Sequence, residues 1–224
     1  MTYGEFIVVY LPKLLLGAGT TVLVMVAAAL LALAMSVLFG LLRLAPNRAG
    51  RVFATIYIEF FRGTSLLVQL YWIYYVLPLM GVSFTAFTSG VLALGLNFGA
   101  YGAEIFRGAI QAVPQGQWEA ALALNMSPWQ RMRRVIIPQS LPVLLPPAAN
   151  LTIELLKATA LVALITVVDL MFVAKQINAT TWASAQTFGT ALLLYYALAR
   201  FVLTPFLRWL EIRVAGQMGR DQRS

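Results

Sequence analysis

Between Lys13 and Arg43 the chain runs for 29 residues, Leu14 to Leu42, without a charge or a proline. A run of this kind leaves few folds open. About 20 apolar residues in a helix cross a hydrocarbon core of about 30 Å, and a helix satisfies its own backbone N–H and C=O groups where no water can. The run is too long for the apolar region of a cleaved signal and lacks a basic leader. The rest of the chain agrees with a membrane protein. Hydrophobic residues make up 61% and charged residues 11%, where soluble domains carry about 25% charge. Mean hydropathy is +0.82. So few charges cannot clothe a water-facing surface.

Several chemistries are excluded by absence. The chain has no cysteine and no histidine. Disulfides, thiolate nucleophiles and zinc–thiolate sites therefore drop out, as does the commonest general base. No metal or cofactor is expected. The formal net charge of +8 would suggest nucleic acid in a soluble chain. Here the cations are mostly arginines between apolar stretches, which points to orientation in a bilayer and not to nucleic acid.

The hydropathy pattern predicts an all-α, polytopic fold with about five spans, near Leu14–Leu42, Val52–Val76, Ser89–Val113, Leu141–Val167 and Gln186–Leu207. Connections between them are short, so residues 1–224 are expected to form one transmembrane domain. Residues 1–12 are read as a short interfacial helix with Phe6, Val9 and Tyr10 on one face. Ten basic residues fall on one side: Arg43, Arg48, Arg51, Arg131, Arg133, Arg134, Arg208, Arg213, Arg220 and Arg223. Lys13 and Lys175 alone fall on the other. That asymmetry places the N-terminus outside and the C-terminus in the cytoplasm.

The third connection, about residues 113–140, is built like an object. Gln117–Leu124 is rich in helix formers and stops at Asn125, a residue at ease in the left-handed conformation. Ser127 then offers a cap, with Pro128 in the first turn, for a second helix over Trp129–Ile137 that ends before Pro138. Two short helices carrying Trp118 and Trp129 beside three arginines suit docking into a partner's groove. Interface anchoring of the same residues is the plainer alternative.

Charges also lie inside the predicted spans. Glu59 and Arg62, Glu104 and Arg107, and Glu154 and Lys157 are each spaced i,i+3, which puts them on one helix face. A charge deep in a bilayer costs at least a few kcal/mol, so pairing and an inward orientation are expected. Helix-to-helix structural pairs and a role in a pathway or gate both remain open. Asn97, Tyr101, Asn150 and Thr152 accompany them, and Gly95, Gly99, Ala100 and Gly102 permit close helix approach. Asp169 reads as a solvated helix terminus or as the aqueous end of a pathway.

Several segments together resemble the permeases of bacterial ABC importers. Glu119-Ala120-Ala121, then Asn125 where that family has glycine, then Val135-Ile-Ile-Pro138, is similar to the family's EAA loop. Phe61-Arg-Gly-Thr-Ser-Leu-Leu-Val-Gln69 resembles a segment of the polar-amino-acid branch, with Ser65 where proline is usual. Ala100-Tyr-Gly-Ala-Glu-Ile-Phe-Arg-Gly108, Val113-Pro-Gln-Gly-Gln117, Leu145-Pro-Pro-Ala-Ala-Asn150 and Leu156-Lys-Ala-Thr-Ala-Leu-Val162 continue the likeness in order. Ala160 stands where serine is common. The resemblance implies the transmembrane domain of a type I importer in the bacterial inner membrane, forming the path for a polar amino acid or similar small zwitterion. It implies a cytoplasmic ABC ATPase dimer docked on Glu119, Ala120, Ala121, Asn125 and Pro138. A second permease, a sister chain more than a copy, and an extracytoplasmic solute-binding protein would complete the assembly. The chain holds no G-x-x-x-x-G-K-[ST] phosphate loop, so ATP would be hydrolysed by the partner and not by this chain. The competing function is a stand-alone dimeric carrier or channel.

Overall fold

A computed structural model describes residues 3–221, with side chains as far as Arg213. Arg223 lies outside the described residues, as does the side chain of Arg220. In chain order the helices are α1 (Tyr3–Leu44), α2 (Arg48–Gly63), α3 (Leu66–Tyr71), α4 (Ala86–Gln111), α5 (Gln115–Ala123), α6 (Pro128–Arg131), α7 (Ile137–Ala158), α8 (Leu170–Thr181), α9 (Ser184–Ala197) and α10 (Thr204–Asp221). Widened π turns carry α3 onward over Trp72–Val76, join α6 to α7 over Met132–Ile136, and join α9 to α10 over Leu198–Leu203. Tight 3₁₀ turns close α3 at Leu77–Met80 and α7 at Thr159–Ile165.

Among the described residues, three continuous helical stretches are long and apolar enough to cross a bilayer: Tyr3–Leu44, Pro128–Ile165 and Ser184–Arg213. The bent pair α2–α3 adds a fourth when taken as one span. α4 corresponds to the predicted span at Ser89–Val113. At 26 residues it is about 39 Å long, but Asn97, Glu104 and Arg107 lower its hydropathy. It is the interior helix, packed on α1, α2, α3 and α7.

Two sequence expectations are corrected here. Residues 3–12 are not a separate interfacial helix but the first turns of α1. Phe6 is fully buried among residues of α8 and α9, with its ring 5.1 Å from that of Tyr10, and this packing carries the helix through Pro12. Val9 points away and is exposed. The second span is likewise not straight: its halves, Arg48–Gly63 and Leu66–Met80, meet at 102°. Thr64 and Ser65 both take extended backbone angles, which no helix can continue through.

Lipid-like surroundings give helices no hydrophobic reason to associate, so close packing must supply it. The α1–α4 seam shows how. A Cβ on Gly99 would stand 2.6 Å from the Met35 Cβ, and one on Gly102 would stand 2.9 Å from the Ser36 Cβ. Ser36 spends its hydroxyl inside the seam, donating to the carbonyls of Ala32 (2.6 Å) and Gly99 (3.2 Å). One apolar cluster joins the middle of α1 to α3, α4, α7 and the 3₁₀ turn after it, and a second joins the start of α1 to α8 and α9.

Candidate functional site

The bend of the second span leaves helix-end carbonyls without intrahelical partners, and two amides from the sequence fill the gap. Gln69 Nε2 donates to the Phe61 carbonyl (3.0 Å) and to the Thr64 hydroxyl (2.6 Å). Asn97 Nδ2, reaching across from α4, donates to the same Phe61 carbonyl (2.8 Å) and to Gln69 Oε1 (3.1 Å). Thr64 in turn donates to the carbonyl of Phe60 at 2.7 Å. The break is therefore hydrogen-bonded and rigid. The motif Phe61–Gln69 encodes both the break and half of its repair. Sequence reading gave Gln69 no such role; an amide at each edge of an apolar stretch was the available signal.

Beside this junction one face of the bundle is polar. Glu59 and Arg62 on α2, Tyr101 on α4, and Asn150, Glu154 and Lys157 on α7 are all exposed. Arg62, Tyr101, Glu104, Pro147, Asn150 and Glu154 contribute to the walls of a cleft of about 440 Å³. The Arg62 guanidinium lies 5.3 Å from the centre of the Tyr101 ring, within cation–π range. A charge held mid-bilayer costs roughly 2.5–3.5 kcal/mol or more. Several on one face are therefore incompatible with lipid contact. In a membrane this face needs water or another protein against it.

Of the three i,i+3 pairs, only one forms. Arg107 makes a two-pronged contact with Glu104 Oε2, at 2.7 Å and 3.1 Å, and also donates to Gln111 Oε1 at 2.5 Å. Arg43 of α1 approaches Glu104 Oε1 at 3.7 Å and donates to Thr55, so Arg43 ties α1 to both α4 and α2. The other two expectations fail. Glu59 and Arg62 make no ion pair, because Arg62 turns to the Tyr101 ring; Glu154 and Lys157 make none either, both extending into open surroundings.

At one end of the bundle the 113–140 segment forms two short helices with a fixed joint. Asn125 sits at φ 52, and around it Met126 N–H bonds to the Ala121 carbonyl (3.1 Å) and Asn125 N–H to the Leu122 carbonyl (2.9 Å). That pair of bonds is a Schellman closure. Ser127 and Gln130 then form a reciprocal capping box for α6. The expected end of the second helix at Pro138 is a correction: the Met132–Ile136 π turn shifts the bonding register, and the chain continues unbroken into α7 with Pro138 in its first turn, where the missing N–H is tolerated. The knob is thus welded to a membrane-length helix. Gln139 donates to Gln117 across the base (2.9 Å), and Trp118 packs on Ile110, Val113 and Ile136 with Arg131 over its ring at 5.6 Å. Ala121 is buried, whereas Glu119, Ala120, Leu122, Leu124, Asn125 and Trp129 are exposed. Leu124 (72%) and Trp129 (68%) present bare apolar surface beside the exposed Arg133 and Arg134.

Residues 32–216 match the family described as the binding-protein-dependent transport system inner membrane component. The chain belongs to this family. Two relatives from Sinorhizobium fredii are both termed probable amino-acid ABC transporter permease proteins. One, y4tF, is 46% identical over 187 residues, covering 81% of this chain and 78% of its own. The other, y4tG, is 37% identical over 177 residues, covering 79% and 77%. A solved structure described as an amino acid ABC transporter with histidines superposes with a TM-score of 0.87 at 35% identity, over 95% of this chain and 99% of that one. The protein is a multi-pass inner-membrane permease subunit of an ABC importer, a family that works with an ATPase and a binding protein.

Proposed function

We propose that this permease carries a polar amino acid or a similar small zwitterion, and that the cleft on its polar face lines the route. The carrying observation is the cleft's charge pattern: Arg62 on one wall and Glu154 on another, neither of them in an ion pair. A zwitterion brings a carboxylate and an ammonium a few ångströms apart, and such a wall offers each an opposite charge. The amino-acid names of the relatives from Sinorhizobium fredii and of the solved transporter favour the same class.

The face is completed by a second permease, and a sister chain is the preferred partner. One organism holding two relatives of this chain, similar but not alike, supports that preference. The arginine asymmetry of the sequence supports five crossings, with the N-terminus outside and the knob in the cytoplasm. Glu119, Ala120, Ala121, Asn125 and Pro138 belong to the element that seats in the ATPase. Its bare Leu124 and Trp129 supply contact area, and the unbroken run into α7 transmits the motion. ATP is bound and hydrolysed by that partner, and residues 1–224 act as one domain.

The test is purification of the tagged chain from its own membrane in mild detergent, followed by mass spectrometry of stoichiometric companions. Recovery with an ATPase and a second permease is expected. Uptake into proteoliposomes holding the recovered complex and its binding protein should then show competition by polar amino acids. A well-folded chain that emerges alone, even after crosslinking, would overturn the reading in favour of a self-contained carrier.

A further inference from the structure

Asp169 takes no part in the cleft or the knob, yet it is completely buried. The sequence reading of a solvated helix terminus is corrected in one half only: Asp169 does cap α8, accepting from Phe172 N–H at 2.8 Å, but no water-facing surface is left to it. Its second oxygen accepts from the Tyr195 hydroxyl of α9 at 3.2 Å. Its backbone carbonyl lies against α1 so closely that a Cβ on Gly17 would stand 2.9 Å away. Next to it, Thr21 of α1 accepts from Leu170 N–H (3.1 Å) and donates to the Gly17 carbonyl (3.2 Å). The Tyr195 phenol also neighbours Thr21 and Thr159. Asp169 stands between Val167 of the first apolar cluster and Leu170 of the second.

The chain reaches Asp169 under strain. Seven residues of 3₁₀ helix, Thr159–Ile165, lead to Thr166 at φ 66. Runs of 3₁₀ beyond three or four residues are uncommon, and a β-branched residue in the left-handed region is a true outlier. Among the described residues, no cation compensates Asp169. Lys13 of α1 sits over the Tyr10 ring, while Lys175 of α8 and Lys157 at the end of α7 are exposed. The 3₁₀ segment carries no charge, and of the two α9 tyrosines here, Tyr195 faces the carboxyl while Tyr196 is exposed.

We propose that Asp169 is a positioning residue for the outer mouth of the pathway, holding the joint between α7, α8, α9 and α1 shut when protonated and loosening it when ionised. The outer placement rests on the orientation proposed above. Burial is the largest influence on the carboxyl and raises it to about 6, against the hydrogen bonds from Phe172, Met171 and Tyr195 that lower it. The sign follows. The closed joint binds the proton more tightly than an opened, hydrated one, so this closure is fully present below the ordinary carboxylate range and is lost as pH rises through about 6.

The chain has no cysteine, so single-cysteine reporters read on its own band have no background from other thiols of this chain. In the assembled transporter, V167C would report the joint, since Val167 is buried, and W182C would serve as reference, since Trp182 is 85% exposed between α8 and α9. A membrane-impermeant maleimide is added outside, and the ratio of the two labelling rates cancels the thiol's own titration. The ratio should be roughly tenfold higher at about pH 7.5 than at about pH 5. D169N keeps an N-cap acceptor without the charge, and should leave the ratio low and flat. Y195F removes a bond to the ionised form and should move the midpoint up. A flat ratio in the parent, or an unchanged pH profile in both variants, would overturn the proposal. If D169N fails to assemble, Y195F alone still decides. An unlabelled W182C in intact cells would overturn the orientation instead, and the V167C ratio in detergent would then test the titration by itself.

Discussion

Glu59 and Gln69 stand ten residues apart on the same bent span, yet they sit in opposite settings. Gln69 is 7% exposed and bonded through both amide atoms. Glu59 is exposed and makes no ion pair with Arg62, its neighbour one turn away. The difference separates two uses of polarity in an apolar fold. Gln69 and Asn97 repair a break in the backbone, so their partners lie inside this chain. Glu59, Arg62, Asn150, Glu154 and Lys157 find little within the chain, which puts their partners in the rest of the transporter or in the solute.

The inner setting should resist change most. G102V forces a branched side chain against Ser36, and overpacking of this kind costs about 3 kcal/mol. The expected result is a sharp fall in folded protein recovered from the membrane, read by gel filtration in detergent; normal recovery would mean that the α1–α4 seam is looser than its geometry. N97L removes the amide that crosses to Phe61 and Gln69, leaving buried polar groups unpaired at a cost of about 2 kcal/mol. A thermal scan should show the lowered midpoint, and an unchanged midpoint would break the claim that the bend depends on these bonds.

The outer setting and the knob should lose function before stability. E119K changes an exposed side chain on α5, so membrane insertion and the thermal midpoint should stay unchanged. ATPase association in detergent should weaken about tenfold, or roughly 1.4 kcal/mol; normal association would remove Glu119 from the docking surface. The smallest effect is expected for a pair that spacing predicts and the structure does not form. A double-mutant cycle with E59Q and R62Q on the isolated permease should give a coupling below about 0.5 kcal/mol. A larger coupling would show that the two side chains do pair, and would erase the contrast with Glu104 and Arg107.

Much of this was legible in the order of residues. The long apolar run of α1, the Asn125 joint with its Ser127 cap, and the close-packing glycines of α4 all depend on local chemistry, and each lies where expected. The motif Phe61–Gln69 was legible as a likeness, but its meaning was not: the 102° bend is hydrogen-bonded in part by Asn97, which α4 brings alongside. Spacing alone could not tell the pair that forms, Glu104 with Arg107, from the two that do not. All three share i,i+3 geometry, and the choice turned on Arg43 arriving from α1 and on the Tyr101 ring competing for Arg62.

By itself the sequence determined that this chain lives in a membrane, that it is helical, and that one connection is a rigid knob, because hydropathy, capping and turn chemistry act over a few residues. Tertiary structure decided which polar groups are buried, which are bare, and that Asp169 is enclosed with no cation beside it among the described residues. Those outcomes depend on helices distant in sequence meeting in space, and a buried charge is created only by its neighbours.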